Sequence, residues 1–214
     1  MTVADPASGL VALDRLSDRL LEAGQAGGLR VAVAGTADER EAIHRLRHRQ
    51  VVGHGWAAAG DLPGGIERDA HDERSLQIGA WASRNLVGGM RLVLPVSGQR
   101  LPVEEAFDLD IEPRGALVEA GRLVIAPEYR GDPAHRAWGA LFARAWLTLR
   151  DRGFSLLCGA ASPVMVERLR ALGLPFEVLG SPRTHWGEER VPVRLDPAGG
   201  DPSWFAPSQI GRSA

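Results

Sequence analysis

The sequence predicts an α/β fold, with a mixed central sheet flanked by helices in three layers. Three observations lead there. Runs with strand character alternate with helix-length amphipathic runs instead of clustering by type. The 214 residues suffice for one sizeable core and fall short of two ordinary domains. Apolar residues make up 44% and charged residues 24% of the chain, the balance of a globular protein.

The elements follow in order. Leu10, Leu13, Leu16, Leu20 and Leu21 recur at helical spacing until GQAGG breaks the run, so residues 1–27 read as an N-terminal helical extension packing on its own domain. Residues 28–196 read as the main domain. It opens with a short strand at 30–34. Thr36-Ala-Asp-Glu39 is a capping-box pattern that starts a helix running to about Val51. Residues 53–74 read as a long irregular loop, rich in Gly, Asp and Pro. Two strand-like runs, 75–82 and 86–95, are joined at Ser83-Arg84-Asn85 as a hairpin. A second loop carries Phe107, and 116–125 is the next strand. Asp132-Pro133 caps a helix whose apolar stripe is Trp138, Leu141, Phe142, Ala145, Trp146 and Leu149, ended by Gly153. FSLLCGA reads as a buried strand, Ser162-Pro163 starts a helix that Gly173 ends, and PFEVLG and ERVPVRL close the domain as strands. Residues 197–214 read as a mobile tail in which Trp204 and Phe205 could dock.

Composition excludes several functions. The net charge of −2 gives no electrostatic case for nucleic acid or an anionic membrane. All 25 basic residues are arginine, which excludes lysine Schiff-base chemistry. The lone Cys158 allows no internal disulfide, lies in an apolar run and reads as a small buried residue; no Cys/His cluster suggests a metal. No stretch approaches a spanning helix, and the N-terminus lacks the pattern of a secretory signal, so the expected compartment is the cytoplasm.

Three groups of residues could carry chemistry. Glu67-x-Asp69-x-x-Asp72 places three carboxylates in one loop, suited either to solvent or to a cationic substrate. Gly88-Gly89-Met90-Arg91-Leu92 puts glycines, which mark a bulge or a close approach, beside an arginine that needs a carboxylate partner. That partner is either a loop acid or a substrate. In Glu119-Ala120-Gly121-Arg122 the two charges point to opposite faces of a regular strand, unless a bulge at Gly121 re-aims one.

Taken in order, Arg47, Trp56, the E-x-D-x-x-D loop, G-G-x-R-L, Phe107 and E-x-G-R resemble the acyl-homoserine-lactone synthases. Further on, Ser162-x-x-Met165-x-x-Arg168-Leu169-x-x-Leu172-Gly173-x-Pro175 looks like that family too. The resemblance spans about residues 30–195. It implies a fold like that of the GNAT acyltransferases. It also implies a reaction in which an acyl group from an acyl carrier protein joins the amine of S-adenosylmethionine, after which the methionine carboxylate closes a lactone and expels methylthioadenosine. By position, Arg47, Trp56, Asp69, Asp72, Arg91, Phe107 and Arg122 would form the S-adenosylmethionine pocket. Glu119 would help deprotonate the amine, and Asp69 is the second candidate for a catalytic role. No permanently bound cofactor is implied. The chain departs from the family at Val51, where a phenylalanine is usual, in the spacing to Trp56, and at Gly121, where a serine is usual.

Three alternatives stand beside this one: cyclisation of the aminobutyrate group of S-adenosylmethionine without an acyl donor, N-acylation of another amino acid, and ligand sensing without catalysis. The turn Arg130-Gly131-Asp132-Pro133-Ala134 counts against acetyl-coenzyme A as donor. Pro133 lacks an N–H and Asp132 repels phosphate.

Overall fold

In a computed structural model the described residues are 6–129, 131–171, 174 and 176–199. The expectations for the 200–214 tail, Leu172, Gly173, Pro175 and Arg130 lie outside them, as do those for the side chains of Asp132, Pro133 and Ala134.

The chain order is α1 (Pro6–Ala26), β1 (Leu29–Val33), α2 (Ala37–Gly53), β2 (Ser75–Ala82), β3 (Asn85–Val93), α3 (Pro102–Phe107) and β4 (Leu117–Ile125). It continues with α4 (Asp132–Arg150), β5 (Leu156–Ala161), α5 (Pro163–Ala171), β6 (Phe176–Val178), β7 (Arg183–His185) and β8 (Glu188–Leu195). The chain divides into two compact units. Of the described residues, one holds those of 17–94 and 120–148, and the other those of 6–16, 95–119 and 149–199. Both draw on distant parts of the chain.

In the first unit β1, β2 and β3 pair antiparallel in sequence order. Thr36 caps α2 as expected, its hydroxyl accepting from the Glu39 N–H at 3.1 Å while the Glu39 carboxylate accepts from the Gly35 N–H at 2.8 Å. The inward face of α2 buries Ile43 and Leu46 completely. The glycines of β3 are there for space. A Cβ on Gly88 would stand 2.9 Å from Ile125 Cδ1 and Leu141 Cδ1 and 3.1 Å from the Val124 carbonyl, and one on Gly89 would stand 3.0 Å from Ile43 Cγ2. A bulge accompanies them: the β2–β3 register shifts between Ala80 and Trp81.

In the second unit the start of β4 pairs parallel with β5, matching Glu119 with Cys158, and β8 pairs antiparallel with β5, β6 and β7. Two details differ from expectation. The segment carrying Phe107 is a short helix, begun by Pro102 and held by Glu104, whose carboxylate accepts from the Leu101 and Ile111 N–H groups at 2.7 and 2.9 Å. The extra strand β7 forms a hairpin with β8 through Trp186-Gly187, both at positive φ (53° and 67°), a turn that usually announces itself as Asn-Gly.

Among the described residues no helix is long and apolar enough to cross a membrane, and no group of three or more His, Cys, Asp or Glu could hold a metal.

Candidate functional site

The long loop before β2 is not solvated irregular chain. It contains three short 3-10 turns, and the last, Ala70–Arg74, explains the acid spacing. Asp69 caps that turn by accepting from the His71 N–H at 3.0 Å, and Asp72 reaches back to accept from the Asp69 N–H at 2.8 Å. A reciprocal cap needs its two acids three positions apart. Glu67 is anchored by its own N–H, which donates to the His44 carbonyl at 3.1 Å.

Three arginines from three elements meet these acids, all within the first unit. From α2, the Arg47 Nε donates to Glu67, and its Nη1 and Nη2 form a bidentate pair with Asp72 at 2.7 and 3.1 Å. From β3, Arg91 Nη1 donates to Asp69 at 2.6 Å and stands 3.2 Å from Asp72. From β4, Arg122 donates to Glu67 at 3.2 Å and to Asp69 at 3.0 Å. Arg122 reaches them because it sits at φ 54°, the left-handed region. The expected re-aiming of the β4 charges therefore occurs at the arginine itself, not at Gly121. A non-glycine residue there costs roughly 1–2 kcal/mol, held in place by the two ion pairs.

Three guanidiniums thus face three carboxylates, and the charges cancel. Burial alone would raise the Asp72 carboxyl, but the Arg47 hydrogen bond and the charges of Arg47 and Arg91 hold it well below the usual range. Asp69 follows the same pattern, with Arg91 and then Arg122 outweighing burial. His44 sits beside the group, its Nε2 3.8 Å from Asp72; burial, then the Arg47 charge, lower its pKa and keep it neutral.

Of the eight residues singled out in the sequence, the fold brings together Arg47, Asp69, Asp72, Arg91 and Arg122. Trp56, half-buried beyond α2, stacks on His54 at 4.7 Å with 17° between the rings. Phe107 and Glu119 belong to the second unit. Phe107 is buried with its ring 6.0 Å from His185. Glu119 is buried and accepts from the Val103 N–H at 2.7 Å. Cys158 is fully buried, and burial, followed by Glu119 and Glu104, pushes its thiol pKa well up, so it is no nucleophile. Sequence reasoning missed His44 and Gln77. Gln77 is buried on β2, and its amide donates to Asp72 at 2.8 Å.

Residues 43–138 match the family model for an acetyltransferase (GNAT) domain, a span from α2 into α4. The fold is that of the GNAT acyltransferases. Solved structures of this shape include several acyl-homoserine lactone synthases. LasI has a TM-score of 0.65 and 16% identity, covering 85% of this chain and 95% of that one. BjaI, a CoA-dependent acyl-homoserine lactone synthase solved with S-adenosylmethionine and isopentyl-CoA, has a TM-score of 0.62 and 22% identity, covering 78% of this chain and 82% of that one. FeeM, an N-acyl amino acid synthase from uncultured soil microbes, has a TM-score of 0.63 and 18% identity, covering 85% and 94%. No curated protein matches the sequence.

Proposed function

We propose that residues 28–196 form an acyl-transfer synthase that consumes S-adenosylmethionine. The observation that carries this reading is the open edge of the charge cluster. The Asp69 and Arg122 side chains are 29% and 16% exposed, whereas those of Arg47, Glu67, Asp72 and Arg91 are 1–2% exposed. A carboxylate beside a guanidinium complements an α-amino acid, whose ammonium pairs with Asp69 and whose carboxylate pairs with Arg122. The carboxylates also favour the positive sulfonium, and the face of Trp56 suits a cation or an adenine ring.

The amine must lose a proton before it can attack. For that step we propose Glu119, the candidate that the resemblance implies. The nitrogen then attacks the thioester carbonyl; an N–C bond forms, the C–S bond breaks, and the donor leaves as a thiol. In the second step the methionine carboxylate attacks the carbon next to sulfur, an O–C bond closes the lactone, and the C–S electron pair neutralises the sulfonium, releasing methylthioadenosine. A carrier-protein thioester is the favoured donor, because Pro133 removes one backbone donor from the turn that would cradle a nucleotide pyrophosphate.

The likeness to FeeM favours one second reading, N-acylation of another amino acid at the same Asp69–Arg122 edge. Incubation with S-adenosylmethionine, with and without acyl donors, followed by mass spectrometry of the products decides between them. Methylthioadenosine formed only with an acyl donor is the expected result. Methylthioadenosine without a donor means direct cyclisation, an acylated amino acid without methylthioadenosine means the second reading, and binding without products means a sensor; each overturns the proposal.

A further inference from the structure

We infer that Gln77 is the positioning residue of the charge cluster: its amide fixes Asp72 on Arg47 and Arg91, leaving Asp69 and Arg122 as the pair presented to an amino-acid substrate. The functional half of this inference rests on the reading of the cluster as an S-adenosylmethionine site; the positioning half rests on geometry alone.

Gln77 is 3% exposed, and its Nε2 donates to Asp72 Oδ1 at 2.8 Å and to Ser75 Oγ at 2.9 Å. Its Oε1 faces Arg47 Nη1 at 3.5 Å. Asp72 offers only acceptors and Arg47 only donors, so a single amide orientation serves both. The backbone is pinned as well. Gln77 lies opposite Arg91 in the β2–β3 register, and its carbonyl accepts from the Ala34 N–H at 2.7 Å.

The effect falls on Asp72. Its Oδ1 receives Arg47, Gln77 and Arg91, and its Oδ2 receives Arg47 and the Asp69 N–H. A carboxylate has about four lone-pair sites, so Asp72 has no capacity left for a substrate ammonium. In this assignment Asp72 is a strut, and the acid that meets a ligand is Asp69. With three cations already matched by three anions, position 77 must be neutral and carry both a donor and an acceptor. A leucine leaves Asp72 short of a donor, a glutamate sets a fourth anion against it, and an arginine cannot accept from Arg47.

The test uses Gln77→Leu and Gln77→Glu in the full chain. In the ligand-free protein, the guanidinium proton–nitrogen NMR signals of Arg47 and Arg91 report whether these side chains are held. They are expected to broaden or shift in Gln77→Leu while circular dichroism stays native. In calorimetry with S-adenosylmethionine, each variant is expected to bind about tenfold more weakly than the parent near pH 8, the weight of one lost charge-assisted hydrogen bond. The charged and titratable groups around position 77 are Arg47 and His44 from α2, Glu67, Asp69 and Asp72 from the acidic segment, Arg91 from β3 and Arg122 from β4. In Gln77→Glu the introduced carboxylate and Asp72 would share one proton. That variant alone should therefore regain affinity as the pH is lowered, where the proton replaces the amide hydrogen. A purely structural role would not produce that rescue. Unshifted arginine signals in Gln77→Leu, or a Gln77→Glu variant with parental affinity at every pH, overturn the inference. Should Gln77→Leu disturb the arginines while the parent binds no S-adenosylmethionine, the positioning role stands and the synthase reading falls. If Gln77→Leu does not fold, the Gln77→Glu pH profile decides alone.

Discussion

Replacing Asp72 by asparagine keeps the side-chain shape and removes one charge. Five donors converge on this carboxylate: Arg47 Nη1 at 2.7 Å and Nη2 at 3.1 Å, Arg91 Nη1 at 3.2 Å, Gln77 Nε2 at 2.8 Å and the Asp69 N–H at 2.8 Å. An asparagine oxygen keeps some of these bonds, but its NH₂ must face donors with a donor. The buried cluster is left with three cations and two anions. Breaking a buried ion pair in this way typically costs ~3–5 kcal/mol, and each kcal/mol lowers Tm by roughly 2–4 °C in a chain of this size. The expected fall at neutral pH is therefore roughly 6–20 °C. The pH dependence follows from the lowered folded-state pKa of Asp72. A depressed carboxyl contributes stability that is present above its unfolded pKa and is lost as the pH falls through the folded value. The gap between parent and Asp72→Asn should be full above about pH 5 and should narrow from about pH 4 downward. Thermal melts by circular dichroism at neutral, mildly acidic and strongly acidic pH measure it. A gap under about 2 °C at neutral pH would refute the reasoning, because even the lower bound exceeds it.

Arg122 holds a left-handed conformation that glycine adopts freely, so Arg122→Gly is expected to melt higher than Arg122→Ala, by about 1 kcal/mol, with both losing S-adenosylmethionine binding in calorimetry. Gly88→Ala drives a Cβ against Ile125, Leu141 and the Val124 carbonyl and should lose roughly 1–3 kcal/mol in urea denaturation. If Glu119 takes the amine proton, Glu119→Gln should cut kcat by roughly 10²–10⁴-fold with a far smaller change in Kd; an unchanged kcat removes it from the mechanism.

Local chemistry was legible in the sequence, and long-range pairing was not. The Thr36 cap, the hairpin at Ser83-Arg84 and the apolar stripe of α4 are written in neighbouring residues, and the structure has them. The resemblance singled out all three arginines and both aspartates, but their mutual pairing spans up to 53 residues of chain, as between Arg122 and Asp69. Gln77 was hidden by the bulge. Counting straight back from Ala82 opposite Asn85 sets Gln77 against Met90; the register shift between Ala80 and Trp81 moves it to Arg91. Strand β7 escaped because Trp186 stands where a turn of that type favours asparagine. The sequence left the acidic loop open between solvent and a substrate, because the arginines that pair with its acids come from three other elements.

The cancellation of charge among Arg47, Arg91, Arg122, Glu67, Asp69 and Asp72 constrains how this protein can change. For a descendant or a redesign that accepts a substrate of different charge, a single exchange among Arg47, Glu67, Asp72 and Arg91 costs most, because it strands a buried ion away from water. The workable steps are coupled exchanges, an acid and its arginine together, such as Asp69→Asn with Arg91→Gln. The molecule's capacity to acquire a new substrate is therefore set by how many of its arginines can be given up in pairs.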